Sequence, residues 1–225
     1  MTLYLSRLTL NRNASTRALM PLLNPKEHSL AADAHHRLVW SVFSDESTQE
    51  RDFLWRHDGK GCFMTLSSRS PRPSELFIPI ETKIFDPELR IGDRLSYVLR
   101  ANATRARRIE HGKNQRVDVV MDLLHQIPAG RERAEARQRL AAEAGETWMV
   151  NQGDRKGYRP IYTVIEGYST LGIGRKRGKG ATFGILDLSG VIEITDSDVF
   201  LSALSQGFGR AKAWGCGLML IRRER

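Results

Sequence analysis

Gly207-Phe-Gly-Arg-Ala-Lys-Ala-Trp-Gly-Cys-Gly-Leu-Met-Leu-Ile-Arg-Arg-Glu-Arg225 closes the chain with a glycine-rich loop that runs directly into an apolar strand. Gly207, Gly209, Gly215 and Gly217 are interleaved with the cations Arg210 and Lys212. Glycine lets a backbone adopt positive φ and come close to a ligand, so a loop of this composition suits a phosphate chain. The glycines also fit a plainer use, a helix C-cap followed by a turn into the last strand. The basic pair is what a plain turn does not need. The run Leu218-Met-Leu-Ile221 reads as the strand that ties the loop to a core.

Working outward from this strand gives the second half of the chain its order. Ser197 and Asp198 are placed to cap a helix that reaches about Gln206. Residues 183–194 form a strand with Gly190 inside it, and residues 158–168 form another. Residues 117–124 and 131–144 read as helices, and residues 94–101 as a strand. The order is β, α, β, β, α, β. The first half reads similarly. Residues 2–10 alternate as a strand, and Asn24-Pro-Lys-Glu27 has the form of a capping box opening a helix that reaches Phe43. Residues 51–57 and 62–68 are strands around an Asp58-Gly-Lys-Gly61 turn. Ser70-Pro-Arg-Pro73 breaks the pattern before a strand over 77–85. Two such units make an α+β protein of two tandem ferredoxin-like (βαββαβ, RRM-like) domains. They are expected over 1–86 and 93–225, with a short linker around Asp86-Pro-Glu-Leu-Arg-Ile-Gly92.

Bulk properties narrow the partners. At 225 residues and 40% apolar content the chain builds a real core. Its net charge of +9 favours nucleic acid or an anionic surface. No apolar stretch approaches the roughly 18–20 residues of a membrane span, and the N-terminus does not read as a signal peptide. Cys62 and Cys216 stand alone, which points to neither a zinc site nor a disulfide framework and makes a reducing cytoplasm the simplest setting. No Asp/Glu/His group has metal-ligand spacing, so neither a metal nor another cofactor is expected.

Residues 172–180 tempt a P-loop reading and fail it. Position 173 is Ile where the motif needs Gly, and Gly180 stands where Ser or Thr would meet magnesium. Four cations in five residues, Arg175, Lys176, Arg177 and Lys179, make this a basic hairpin tip suited to backbone phosphates, or simply a solvated one.

Proton transfer needs a titrating group near neutrality, and the helix Asp33-Ala-His-His-Arg-Leu-Val-Trp-Ser-Val-Phe43 offers two. At 100° per residue Ala34, Leu38, Val39, Val42 and Phe43 form one apolar face. His35 projects from the middle of that face and is expected to be a packed, structural residue. His36 lies at its margin one turn from Trp40, where it can reach a groove while partly shielded, and is the candidate catalytic group.

Together these pieces resemble the CasE repeat endoribonucleases of type I-E CRISPR systems. The matching segments are Tyr4-Leu-Ser-Arg-Leu8, His36-Arg-Leu-Val-Trp-Ser-Val-Phe43, Arg51-Asp-Phe-Leu-Trp-Arg56 and Leu99-Arg-Ala-Asn102. Gly112-Lys113, Arg116-Val117 and Gly207-x-Gly-x-x-Lys-x-x-Gly-x-Gly-Leu218 complete the set, which spans nearly the whole chain in order. The resemblance implies metal-independent cleavage of CRISPR precursor RNA at the base of each repeat hairpin. The ribose 2′-hydroxyl attacks the phosphate, leaving a 2′,3′-cyclic phosphate and a 5′-hydroxyl. It also implies that the mature crRNA stays bound and is delivered into Cascade, beside the backbone subunit among others, with no membrane involved.

The family's catalytic histidine falls on His36. A tyrosine often found three residues earlier is replaced by Asp33, which is expected either to leave the role to another group or to orient His36 and raise its pKa. Arg37, Arg210 and Lys212 are candidates for stabilising charge on the phosphorane. Arg100, Lys113, Arg116 and the basic hairpin, with Arg105, Arg107 and Arg108, are candidate RNA contacts, because an A-form stem is recognised by shape and backbone. Two non-catalytic readings stay open: an RNA-binding subunit of a CRISPR ribonucleoprotein with the same fold, and a structural RNA-shape-reading module.

Overall fold

The computed structural model describes residues 2–44, 51–108, 114–173 and 181–224. By its internal contacts the chain divides into two units. The first comprises Met1–Glu88, Leu171–Thr182 and Ala211–Leu218. The second comprises Leu89–Thr170, Phe183–Arg210 and Met219–Arg225. Sequence order alone would assign segments 171–182 and 211–218 to the second half.

The first unit is built on strands β1 (Tyr4–Thr9), β2 (Phe53–His57), β3 (Cys62–Ser67) and β4 (Glu81–Ile84), with helices α1 (Ala14–Leu23) and α2 (His28–Trp40). Its antiparallel sheet has the order β2-β3-β1-β4. In chain order that is 4-1-3-2 read from the other edge, the ferredoxin-like arrangement, with an extended segment where the second helix would lie. β2 and β3 are joined by the expected turn, in which Asp58 N–H donates to the Cys62 carbonyl at 2.8 Å. The core forms where Leu38, Val39, Val42 and Phe43 meet Leu8, Phe53, Trp55 and Phe63 of the sheet. This is the apolar face of the helical wheel, except that α2 stops at Trp40 and a tighter turn carries Val42 and Phe43 onward.

The start of α2 differs from the capping-box reading. Asn24 is the C-cap of α1, its N–H donating to the Met20 carbonyl, and its side chain is taken by His35. Glu27 precedes the first turn of α2 without a side-chain cap. Pro25 therefore sits between two helices and not inside the second.

The second unit holds strands β5 (Arg94–Ala101), β8 (Tyr158–Ile173), β9 (Ala181–Ile194) and β10 (Met219–Arg223) in the order β10-β5-β9-β8, again 4-1-3-2. The tips of β8 and β9 belong to the first unit. Between β5 and β8 lie the hairpin β6 (Thr104–Arg108) and β7 (Asn114–Asp118), then α3 (Val119–Leu124) and α4 (Arg131–Lys156); α5 (Ser197–Gln206) precedes β10. β5 alternates buried and accessible residues along its length, with Leu95, Tyr97, Leu99 and Ala101 inside.

Three local readings change here. The 105–116 stretch is not a loop but is largely taken up by the β6–β7 hairpin. α4 runs twelve residues past Ala144, and its Gly145 serves as a notch for Ile165, whose Cδ1 a Cβ there would overlap. The α5 cap is Asp196, whose carboxylate accepts from Val199 N–H at 3.0 Å. The chain is thus α+β with two ferredoxin-like sheets in tandem. Among the described residues no helix is long and apolar enough to cross a membrane.

Candidate active site

α2 presents its two histidines to different surroundings. His35 is 6% exposed, donates from Nε2 to the Asn24 side-chain oxygen at 2.9 Å, and packs against His57 and Phe63 with ring centroids 4.4 and 5.0 Å away. Burial, with a smaller contribution from His57, pushes its pKa down to about 4. This is the packed role its place on the helix implies.

His36 is half-buried, and its ring is held by a one-turn 3-10 helix, Lys212–Trp214. Its Nδ1 lies 2.8 Å from the Ala213 carbonyl oxygen, and the Trp214 ring centroid is 5.3 Å away. Trp40 stands one turn along the helix at 6.2 Å. The same carbonyl accepts from Trp55 Nε1 at 3.3 Å, which anchors the turn to β2. A carbonyl only accepts, so the neutral His36 ring keeps its proton on Nδ1 and carries its lone pair on Nε2. Burial is the largest influence on its pKa and lowers it. The Ala213 bond and Asp33 oppose this, Arg51 and Arg37 reinforce it, and the net direction is down.

Two of the glycines that frame this turn lie close against the protein's own atoms. Gly209 has φ 72°, and a Cβ there would lie 2.6 Å from the Asn102 carbonyl oxygen. Gly215 has φ 76°, and a Cβ there would meet the Trp55 ring at 3.1 Å. Gly207 is the C-cap of α5, and its carbonyl accepts from Lys156 Nζ. Gly207 thus takes the C-cap position, and Gly217, at φ 94°, lies just before the last strand.

Of the other sequence candidates, Lys212 stands in the same turn as Ala213, half-buried, its pKa lowered by burial and by Arg51. Arg37 is turned outward, its side chain 74% exposed, with its guanidinium on the Asp33 carboxylate. Asp33 is thus engaged by Arg37 and makes no hydrogen bond to His36. Arg210 is exposed in the second unit, where its N–H donates to the Asn102 carbonyl at 3.1 Å. Arg100 is paired with Asp187 across β5 and β9 at 3.5 Å. Arg105 and Arg107 are both bound to the Asp122 carboxylate on α3, while Arg108 and Arg116 are exposed on the hairpin strands. Lys113, Arg175, Lys176, Arg177 and Lys179 lie outside the described residues.

Two participants escaped the side-chain reading. The Ala213 carbonyl is a backbone group with no signature in sequence. Arg51 opens a strand and one of the matching segments but was given no role of its own, yet its charge lowers the proton affinities of both His36 and Lys212. Among the described residues no three His, Cys, Asp or Glu side chains are grouped to hold a metal ion.

Two sheets of 4-1-3-2 order in one chain, the first carrying a half-buried histidine, define a tandem ferredoxin-like protein with a candidate proton-transfer site. Residues 3–223 match the family described as CRISPR associated protein, and the chain belongs to that family. It is 25% identical over 193 residues to the CRISPR system Cascade subunit CasE of Escherichia coli strain K12, covering 83% of this chain and 89% of that one. A solved structure of CRISPR endoribonuclease Cse3 bound to a 19 nt RNA is similar with TM-score 0.67 and 25% identity over 98% of this chain and 99% of that one. Thermus thermophilus Cse3 bound to an RNA representing a pre-cleavage complex shares the fold, with TM-score 0.66, 23% identity, and coverage of 99% and 100%.

Proposed function

We propose that this chain is a metal-independent endoribonuclease that cuts CRISPR precursor RNA at the base of each repeat hairpin and keeps the mature crRNA as a subunit of Cascade. The observation that carries the reading is the His36–Ala213 hydrogen bond, because it leaves Nε2 as an oriented, unprotonated base at neutral pH. Similarity to a Cascade subunit and to an RNA-bound CRISPR endoribonuclease supports the substrate class.

In this reaction the hydroxyl proton of the ribose just upstream of the cut passes to His36 Nε2 as the O2′–P bond forms. The P–O5′ bond then breaks. The 5′-oxygen takes a proton from solvent, and the upstream product ends in a 2′,3′-cyclic phosphate. The base alone accounts for about 10²–10⁴-fold in rate, and cationic groups at the phosphate account for a further share.

The test is incubation of the purified protein in EDTA with a repeat hairpin from its own host. The parent is expected to cleave, and His36→Ala to bind the hairpin but lose cleavage by at least about a hundredfold. A 2′-deoxy nucleotide at the cut is expected to abolish the reaction. Binding by parent and variant alike with cleavage by neither would leave the chain a non-catalytic RNA-binding subunit.

A further inference from the structure

Arg51 enters the first unit just before β2, half-buried. Its Nη1 is shielded from solvent and has no hydrogen-bond partner among the described residues. Among the described residues the neighbouring carboxylate, that of Asp52, does not serve it. Asp52 is engaged by Arg69 at 2.8 Å and by the Ser68 hydroxyl at 3.0 Å. Among the described residues no carboxylate forms an ion pair with Arg51 or with Lys212.

Both side chains are partly desolvated, and burial leads the causes that weaken their hold on a proton. Lys212 also feels the field of Arg51, which opposes its charge as it does that on His36. The Lys212 ammonium thus stands on the turn whose Ala213 carbonyl holds the His36 ring, the Arg51 charge reaches both groups, and neither cation has a carboxylate partner among the described residues. Folded chains tend to pair or hydrogen-bond charges they withdraw from water, because an unpaired desolvated charge is unfavourable. Arg37 shows the ordinary solution three residues before Trp40: it is solvated and paired with Asp33. Among the described residues Arg51 and Lys212 show the opposite arrangement, that of a site open to an anion from outside.

We propose that Arg51 and Lys212 form the binding site for the non-bridging oxygens of the scissile phosphodiester beside His36. The inference rests on the ribonuclease reading for the identity of the anion, but the anion site itself does not depend on it. The free guanidinium edge of Arg51 donates to one phosphoryl oxygen and the Lys212 ammonium to the other. Charge that builds on the phosphorane is met by groups already in place. The turn that carries Lys212 also supplies the Ala213 carbonyl that aims His36, so one short segment fixes the cation and the base together.

The experiment reads the site first without RNA. His36 is titrated by NMR in the parent, in Arg51→Gln and in Arg51→Lys, with and without dimethyl phosphate, a phosphodiester that has no base or sugar. The His35 resonances in the same spectra report that the fold is intact. In the parent, dimethyl phosphate is expected to raise the His36 pKa. In Arg51→Gln the starting value is expected to be already higher, since a repelling charge is gone, and the diester to move it little. Arg51→Lys is expected to keep part of the response. An equal response in parent and Arg51→Gln, or none in either, overturns the proposal.

The second arm is single-turnover cleavage of the host repeat hairpin at saturating protein. Arg51→Gln is expected to be about a hundredfold slower, with partial rescue by free guanidinium ion. An unchanged rate overturns the proposal. A parent that shows the diester response but never cleaves would instead sink the ribonuclease reading and leave the anion site standing.

Discussion

At His36 the proton on Nδ1 is committed to the Ala213 carbonyl, so the chemistry available to the ring depends on whether Nε2 carries a second proton. Burial lowers the pKa below the ordinary histidine value of about 6.5. The base form is therefore already present at neutral pH and is lost only as pH falls through that lowered value. Single-turnover cleavage is expected to be level above pH 7, with its acid limb below about 6.5. A limb centred above that value would mean that His36 works in its protonated form.

His35 gives the matching prediction for stability. Its pKa is about 4 in the folded chain against about 6.5 unfolded. Between these values the unfolded chain takes up a proton that the folded one refuses, so stability falls as pH drops from 6.5 to 4. The full effect is of the order of 3 kcal/mol at most. Urea midpoints across that window should show it, and the slope should shrink in His35→Gln, which keeps an amide donor toward Asn24.

At this scale the helical wheel separated the two histidines well, because burial follows the 3.6-residue period. It could not see Ala213, whose role lies in a backbone oxygen 177 residues away, nor that Arg51 Nη1 is shielded with no partner among the described residues, which is a property of packing.

At the scale of elements, strong alternation was legible and charged or interrupted patterns were not. β5 was readable to the residue because Leu95, Tyr97, Leu99 and Ala101 alternate with polar neighbours. The β6–β7 hairpin has almost no apolar face. It is held instead by Asp122, which ties Arg105 and Arg107 to α3, so an arginine-rich strand looked like a loop. α1 was missed because Pro21 lies inside it and its start is capped by a lone Asn13, whose side chain accepts from Thr16 N–H at 2.9 Å. α4 looked shorter because its glycines, which lower helix propensity, are there for close packing.

The glycine-rich loop was the reverse case: its composition was conspicuous, and its geometry serves the protein's own backbone. Gly209→Ala places a Cβ at positive φ and 2.6 Å from the Asn102 carbonyl oxygen, contact that no rotamer relieves. The variant is expected to lose about 2 kcal/mol or more of stability, seen as a lower denaturant midpoint with an unchanged slope. A loss below about 0.5 kcal/mol would mean that the loop shifts freely.

Over the whole molecule, the order of elements was enough to give two ferredoxin-like sheets, since connectivity limits the sheet orders available. The composition of the units was not readable from that order, because residues 211–218 belong with the unit that holds His36. Long-range property does survive in the composition as net charge, +9 over 225 residues.

That charge makes a quantitative claim about RNA binding. Each phosphate neutralised by Lys or Arg releases counterions, so log affinity falls linearly with log salt. If the hairpin is held through its backbone, affinity is expected to drop by about 10³ or more between 50 and 200 mM salt, the behaviour of six or more phosphate contacts. Individual arginines are then sorted by slope. Arg116 is exposed on β7 and free to meet a phosphate, so Arg116→Ala is expected to reduce the slope by about one. Arg100 is already paired with Asp187, so Arg100→Ala should leave the slope nearly unchanged. A flat dependence for the parent would mean that the basic surface is not the RNA-binding surface, and equal effects of the two substitutions would mean that Asp187 gives up its partner when RNA arrives.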